Sequence, residues 1–309
     1  MTQKTPRSAR AFADRRLPAF LLMTPGGLLL LAVTFIPLVV MIWMAFTDYD
    51  KRSLFTGAYS IVGFDNFIDI LTDDEFWWSF IRTILFTASL VIGSLVIGVG
   101  ISHLMTRLGS KVRTVVTIVL IFTWAMPNVA ASLVWNWLFQ PGYGVFNWIL
   151  TQLRVFGDMT NVDWGSNTWL AFTSIWLLVV WQAVPFLALT VYAAETQVAP
   201  EYKEAARLDG ASERHIYFAV TLPFLKPTIL LVTILSVIWD FNVFNQIWLV
   251  SGGGPDGTTS TLGVFTYITA FVSFDLGTGA ALALITAILL ASMTSVYIRH
   301  LIRSGEDDL

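Results

Sequence analysis

Between Trp239 and Trp248 the chain places Trp239, Asp240, Asn242, Asn245 and Gln246 inside a run, 222–250, that is otherwise mostly apolar. Amides and a carboxylate can bond hydroxyl groups, and indole faces suit the C–H surfaces of a sugar. On a helix Trp239, Asn242 and Gln246 would share one face, with Asn245 and Trp248 on the adjoining one. An acid at membrane depth costs about 2.5–3.5 kcal/mol on insertion scales, which makes Asp240 a functional candidate by default. Trp181, Gln182 and Asn128, in two other apolar runs, could extend the set. The same side chains could instead hold helices together, with Asp240 as a hydrogen-bond hub or paired to a partner subunit.

A second polar stretch, "EAARLDGASERHIYFAVTLPFLKP" from Glu204 to Pro227, interrupts the apolar sequence. Pro200 suits a first helical turn, and Glu201 and Glu204 sit near the positive end of the dipole. Gly210 supplies a left-handed stop, and Ser212 can cap a second helix running towards Leu222, Pro223 and Pro227. Tyr202, Ala205, Ala206 and Asp209 share one face of the first helix, and Lys203, Glu204 and Arg207 the other. The two alanines would let another surface approach closely, while the charges could hold it in register. An amphipathic connector lying at the membrane surface, with no partner, fits the same residues.

These residues need a scaffold, and composition says what kind. Of 309 residues 56% are hydrophobic and only 13% charged, about half the charged fraction of a soluble domain. Mean hydropathy is +0.70. Six runs approach or exceed the roughly 20 residues a bilayer requires: 19–46, 79–105, 112–139, 169–194, 222–250 and 276–301. They are apolar on all faces and lack strict alternation, so the expected fold is an all-α bundle of six transmembrane helices. The first run is too long for a cleavable leader and reads as a membrane helix, 19–46, preceded by a basic segment, 1–18. Pro37, Pro127 and Pro185 interrupt three of the runs, either as ordinary membrane-helix prolines or as hinges.

Thirteen Lys and Arg fall in the N-terminal segment, alternate loops and the C-terminus, against three (Lys51, Arg52 and Arg154) in the loops opposite. The asymmetry puts both termini and the 204–227 stretch in the cytoplasm. A net charge of −3 gives no reason to expect nucleic-acid binding, and without Cys there is no disulfide or thiolate metal site. His103 and His215, near the cytoplasmic boundary, and His300 lack metal-ligand spacing, which favours solvated or interfacial roles. The glycines of 252–255 lack the Lys-Ser/Thr of a phosphate loop, so the chain is not expected to hydrolyse ATP.

The polar stretch resembles the EAA loop of binding-protein-dependent ABC importers. The matching residues are Glu204, Ala205, Ala206, Asp209, Gly210, Ala211, Tyr217, Leu222, Pro223 and Pro227. Val220 stands where isoleucine is usual and Tyr217 where phenylalanine is. "WDFNVFNQIWLVSGGGPDGTTSTLGVFTYITAF" is similar to the segment between the last two spans of maltose-type carbohydrate permeases. The resemblance implies a type I importer permease core over 79–301, with its coupling loop at 199–223. It further implies a homologous second permease, two cytoplasmic ATPase subunits that use ATP and Mg, and an extracytoplasmic solute-binding protein delivering a sugar. The location would be the cell membrane, with lipid around the bundle and no cofactor bound by this chain. Few fixed cations lie at pathway depth, which points to an uncharged sugar, although related permeases handle glycerol phosphate. An ion-coupled secondary transporter would need coupling-ion ligands and repeats that are not evident, and an intramembrane hydrolase would need a second group beside Asp240.

The charge asymmetry fixes a topology that labelling can check in this cysteine-free chain. Asp65→Cys, Asp163→Cys and Gly253→Cys variants should react with an impermeant thiol reagent added outside intact cells, and Asp209→Cys should not. Labelling of Asp209→Cys from outside would overturn the orientation.

Overall fold

A segment that is apolar on every face has one way to satisfy its backbone in lipid, which is to pair each N–H with a carbonyl of its own helix. The computed structural model describes residues 8–306, with side chains over 22–299. The basic side chains of the N-terminal segment, and those of His300 and Arg303, lie outside the described ones. The chain is all-α. In order the helices are α1 (Ser8–Met44), α2 (Lys51–Thr56), α3 (Asp65–Thr72), α4 (Asp74–Arg107), α5 (Ser110–Trp124), α6 (Asn128–Leu138) and α7 (Val145–Leu153). They continue with α8 (Thr168–Glu195), α9 (Pro200–Leu208), α10 (Glu213–Ile216), α11 (Leu222–Phe241), α12 (Asn245–Ser251), α13 (Leu262–Tyr267) and α14 (Leu276–Glu306). Two π-helical segments, Tyr217–Thr221 and Ile268–Val272, lie between α10 and α11 and after α13.

Among the described residues five helices are long and apolar enough to cross a membrane, and α5 with α6 supplies a sixth if the bent pair is one span. That pair corrects one expectation. The run 112–139 is not a single rod, because it turns through 99° at Pro127. A proline drives the residue before it out of the helical region, and it has no N–H to continue the ladder. Pro185, by contrast, lies inside the continuous helix α8. The run 222–250 is also broken. α11 ends at Phe241, and i→i−3 bonds from Asn242 N to Trp239 O (3.2 Å) and Val243 N to Asp240 O (3.3 Å) close it before α12 begins.

The chain divides into two units, the first comprising residues 1–70 with 269–284 and the second 71–268 with 285–309. In the first, Asn66 Nδ2 donates to the carbonyls of Ala45 (3.0 Å) and Thr47 (2.9 Å), tying α3 to the end of α1. Gly277 N donates to Tyr49 O at 2.8 Å, and a Cβ on Gly277 would strike the Thr47 carbonyl.

The second unit is organised by α4 against α8. The buried face of α4 carries Ser79, Thr83, Thr87, Ser94, Gly98 and Ser102, one small residue per turn except at Leu90 and Val91. Lipid tails are as apolar as leucine, so membrane helices gain little from hydrophobic burial against each other and associate through close packing. Gly98 marks a close approach of the two helices: a Cβ there would lie 2.8 Å from Leu187 Cβ and 3.3 Å from the Ala188 backbone nitrogen. Above it Phe86 and Leu90 pack with Ile175, Val179, Ile247 and Val264 in the core of the unit. Thr83 serves α13 as an external cap, its hydroxyl accepting from Leu262 N at 2.8 Å. The Gly-Gly-Gly-Pro turn is closed by hydroxyls, with Thr259 Oγ1 donating to Gly254 O and Thr258 Oγ1 to Pro255 O, both at 2.6 Å. Arg82, paired with Glu75 at 2.8 Å, also donates to Gly257 O at 3.0 Å.

Gly98→Val would force α4 away from α8. It should cost about 1–3 kcal/mol, the usual penalty for overpacking a tight contact. Unfolding of the purified protein in detergent should register the loss, and an unchanged transition would mean that the contact gives way freely.

Candidate functional site

The elbow between α9 and α11 is built almost wholly from local chemistry. Pro200 occupies the first turn of α9, Glu201 faces the N-terminal dipole, and none of its residues is buried. The helix ends in a Schellman motif: Ala211 N donates to Ala206 O and Gly210 N to Arg207 O, both at 3.0 Å, with Gly210 at φ 79°. Ser212 Oγ then accepts from His215 N at 3.3 Å and caps α10. Arg207 spans the turn, donating to both oxygens of Glu213 at 2.7 and 3.2 Å, and this hydrogen bond raises its pKa. Both partners are exposed, so the pair contributes little stability and acts on the angle of the turn.

Glu204, Ala205 and Asp209 are exposed, and Ala206 and Ala211 half-buried. Lys203 and Ala206 form the only half-buried line on α9, which leaves both of its expected faces open. Leu208 is 89% exposed, an apolar side chain left largely uncovered by the described residues. Tyr217 opens the π segment, and Leu222 and Pro223 begin α11, so the elbow runs into the membrane helix without a loop.

Trp239, Asp240, Asn242, Asn245 and Gln246 all line one cavity of about 340 Å³. They do so differently from expected. The helical stripe proposed for Trp239, Asn242 and Gln246 does not exist, because the helix breaks at Asn242 and Gln246 belongs to α12. The break itself brings both sets to the cavity. Asn128 and Gln182 join them through a chain of amides: Gln182 Nε2 donates to Asn128 Oδ1 (3.3 Å), and Gln246 Nε2 to Gln182 Oε1 (3.4 Å). Trp124, Phe186 and Trp239 supply an aromatic wall, with Phe186 and Trp239 edge to face at 5.1 Å. Trp181 instead packs on Trp135, ring centroids 5.4 Å apart.

Asp240 is 6% exposed, and among the described residues its Oδ2 has no hydrogen-bond partner. Asn242 and Asn245 remain exposed, and Asn242 Nδ2 reaches back to Ile238 O at 2.8 Å.

Sequence reasoning passed over Glu195, the last residue of α8, because the apolar run seemed to end one residue earlier. Its carboxylate is buried, accepting from Ser102 Oγ and bonded to His103 Nδ1, each at 3.0 Å. His103, itself half-buried near the end of α4, therefore has a buried acidic partner that was not expected for it. An acid closing an apolar run, with a histidine at the matching end of another, was the available signal.

Residues 94–303 match the family described as "Binding-protein-dependent transport system inner membrane component". The diacetylchitobiose uptake system permease protein DasB of Streptomyces coelicolor is 38% identical over 303 residues, covering 98% of this chain and 92% of that protein. The sulfoquinovosyl glycerol transport system permease protein SmoG of Agrobacterium fabrum is 31% identical over 284 residues, 92% of this chain and 90% of that one. A chain of a bacterial ABC transporter involved in the import of the acidic polysaccharide alginate superposes with a TM-score of 0.80, over 95% of this chain and 99% of that one. At 18% identity that last likeness is one of fold.

Proposed function

Because this chain belongs to the family of binding-protein-dependent transport system inner membrane components, we propose that it passes an uncharged sugar through the 340 Å³ cavity when separate ATPase subunits move its elbow. One observation carries the reading. The helix that leaves the elbow is the helix that ends at the cavity. α11 is 20 residues long, about 30 Å at the usual rise, and bears Leu222 and Pro223 at one end and Trp239 and Asp240 at the other. A push at the elbow therefore reaches the cavity wall through a single continuous helix.

The cavity chemistry supports a neutral polyol. Amides and a carboxylate offer donors and acceptors for hydroxyls, and the tryptophans offer flat faces for ring C–H groups. No Lys, Arg or His is among the residues lining it, so an anionic cargo would find no counter-charge. The uptake of diacetylchitobiose named for the Streptomyces relative is in keeping with this. Trp239, Asn242 and Asn245 are exposed on the open side, which suits a cavity completed by a homologous second permease. The exposed Leu208 beside Glu204 and Ala205 supports docking of an ATPase subunit, since an apolar side chain among charges suits a buried interface core with a polar rim. The excess of Lys and Arg in the N-terminal segment and around the elbow supports a cytoplasmic location for both, with the solute-binding protein on the opposite side. Nucleotide and Mg belong to the ATPase partners in this scheme.

Two measurements test the two ends of α11. Gly210→Pro cannot adopt φ 79°, and Glu204→Lys reverses a charge on the exposed face. Both should abolish uptake and binding-protein-stimulated ATPase activity in reconstituted complexes, and normal coupling in either would count against the docking role. At the cavity, Asn242→Ala or Gln246→Ala should each weaken substrate dependence by about 5- to 150-fold, the cost of losing one hydrogen bond to an enclosed ligand, roughly 1–3 kcal/mol. Unchanged substrate dependence in both would reduce these amides to packing.

A further inference from the structure

Glu195 ends α8 with a carboxylate that is 2% exposed. A charge is expensive to bury unless every lone pair is used, and an apolar residue of similar size would fill the space more cheaply. Here the bonds are made by α4, through Ser102 and His103, immediately beyond the Gly98 contact that draws α4 and α8 together. The histidine continues the connection. Its ring lies against Tyr217, centroids 4.2 Å apart, at the first residue of the π segment joining the elbow to α11. Four side chains thus join the end of α4, the end of α8 and the root of the elbow. Nearby, Arg113 of α5 donates to the carbonyls of Met105 (3.0 Å) and Leu108 (2.6 Å) and lies 5.8 Å over Tyr192, fixing the end of α4 against α5 and α8.

A π segment carries one extra residue per turn and strains the regular ladder, and such segments recur at functional positions in helices. The elbow joins α11 through such a segment, and that is where His103 contacts it. We propose that Glu195, His103 and Tyr217 are positioning residues for transport, forming the fulcrum that makes α4 and α8 follow when the elbow moves. Without this link the elbow could tilt at the π segment, and its motion would reach the pair α4–α8, which carries Gln182 and Phe186 in the cavity wall, only through the packing of Leu225 and Val232 on Leu187 and Val191. The inference rests on the reading of the elbow as the ATPase dock.

The test uses the whole reconstituted complex with its ATPase subunits and solute-binding protein, reading substrate taken up per ATP hydrolysed. Glu195→Ala, His103→Ala and the double variant are compared with Glu195→Gln, His103→Gln and Tyr217→Phe, which keep the hydrogen bonds or the ring. Uptake per ATP should fall by about two- to thirtyfold in the alanine variants, the range seen when a coupling contact is removed. ATPase subunits should still co-purify in the usual amount. The double variant should lose no more than either single one, because both changes break one connection, and the conservative variants should recover most of the loss. Should Glu195→Ala not assemble, Tyr217→Ala against Tyr217→Phe poses the same question. Unchanged uptake per ATP in the alanine variants, or conservative variants that fare no better, would overturn the fulcrum. If Gly210→Pro uncouples the complex while these variants do not, the dock stands and the fulcrum alone fails. If Gly210→Pro leaves coupling intact, the dock itself is wrong.

Discussion

The second unit depends on the close approach of α4 to α8 at Gly98. In lipid two leucine-rich helices gain almost nothing by touching, since the tails they displace are equally apolar. What favours contact is the density of packing, and density requires small residues in a row. The stripe from Ser79 through Thr83, Thr87, Ser94 and Gly98 to Ser102 meets that need and adds hydroxyls that bond backbone within and between elements. With α4 and α8 fixed, the remaining elements of the unit have a common wall to pack on. Ile247 of α12 and Val264 of α13 complete the core that Phe86, Leu90, Ile175 and Val179 begin.

Broken helices are the second constraint. Each break frees backbone groups that lipid cannot satisfy, so breaks belong where protein or a polar cavity receives them. The turn at Pro127 and the interruption at Asn242 both open on the same cavity, which Asn128, Gln182 and Gln246 line with amides. The polar residues and the breaks therefore explain each other. Amides satisfy the interrupted backbone, as Asn242 does for Ile238 O and Gln182 for Met126 O, and the interruptions place those amides around one space.

Between cavity and elbow the design contrasts stiff and soft parts. α11 is an unbroken helix of 20 residues, while its junction with α10 is π-helical. A stiff rod on a soft joint transmits motion only if the joint is held laterally, which is the role proposed for His103 on Tyr217. The carboxyl group buried at Glu195 makes physical sense in that setting, because its two hydrogen bonds to α4 are directional and resist rotation better than an apolar contact of the same area.

Local chemistry was legible in the sequence. The caps of the elbow, Pro200, Gly210 and Ser212, act within a few residues of themselves, so their types and spacing determine the turn before any tertiary contact forms. The apolar runs were legible for a similar reason, since length and composition alone decide whether a segment can cross a bilayer. The residue types at the cavity could also be picked out, because amides and an acid at membrane depth are conspicuous. Their arrangement could not. Whether Pro127 bends a helix through 99° and Pro185 leaves one continuous depends on what neighbours take up the freed carbonyls. Whether 222–250 is one helix or two depends on the same balance at Asn242. The bond between His103 and Glu195 joins residues 92 positions apart, and nothing local to either specifies the other. It exists because Gly98 lets α4 and α8 come close enough for a carboxylate at the end of one to reach the imidazole of the other.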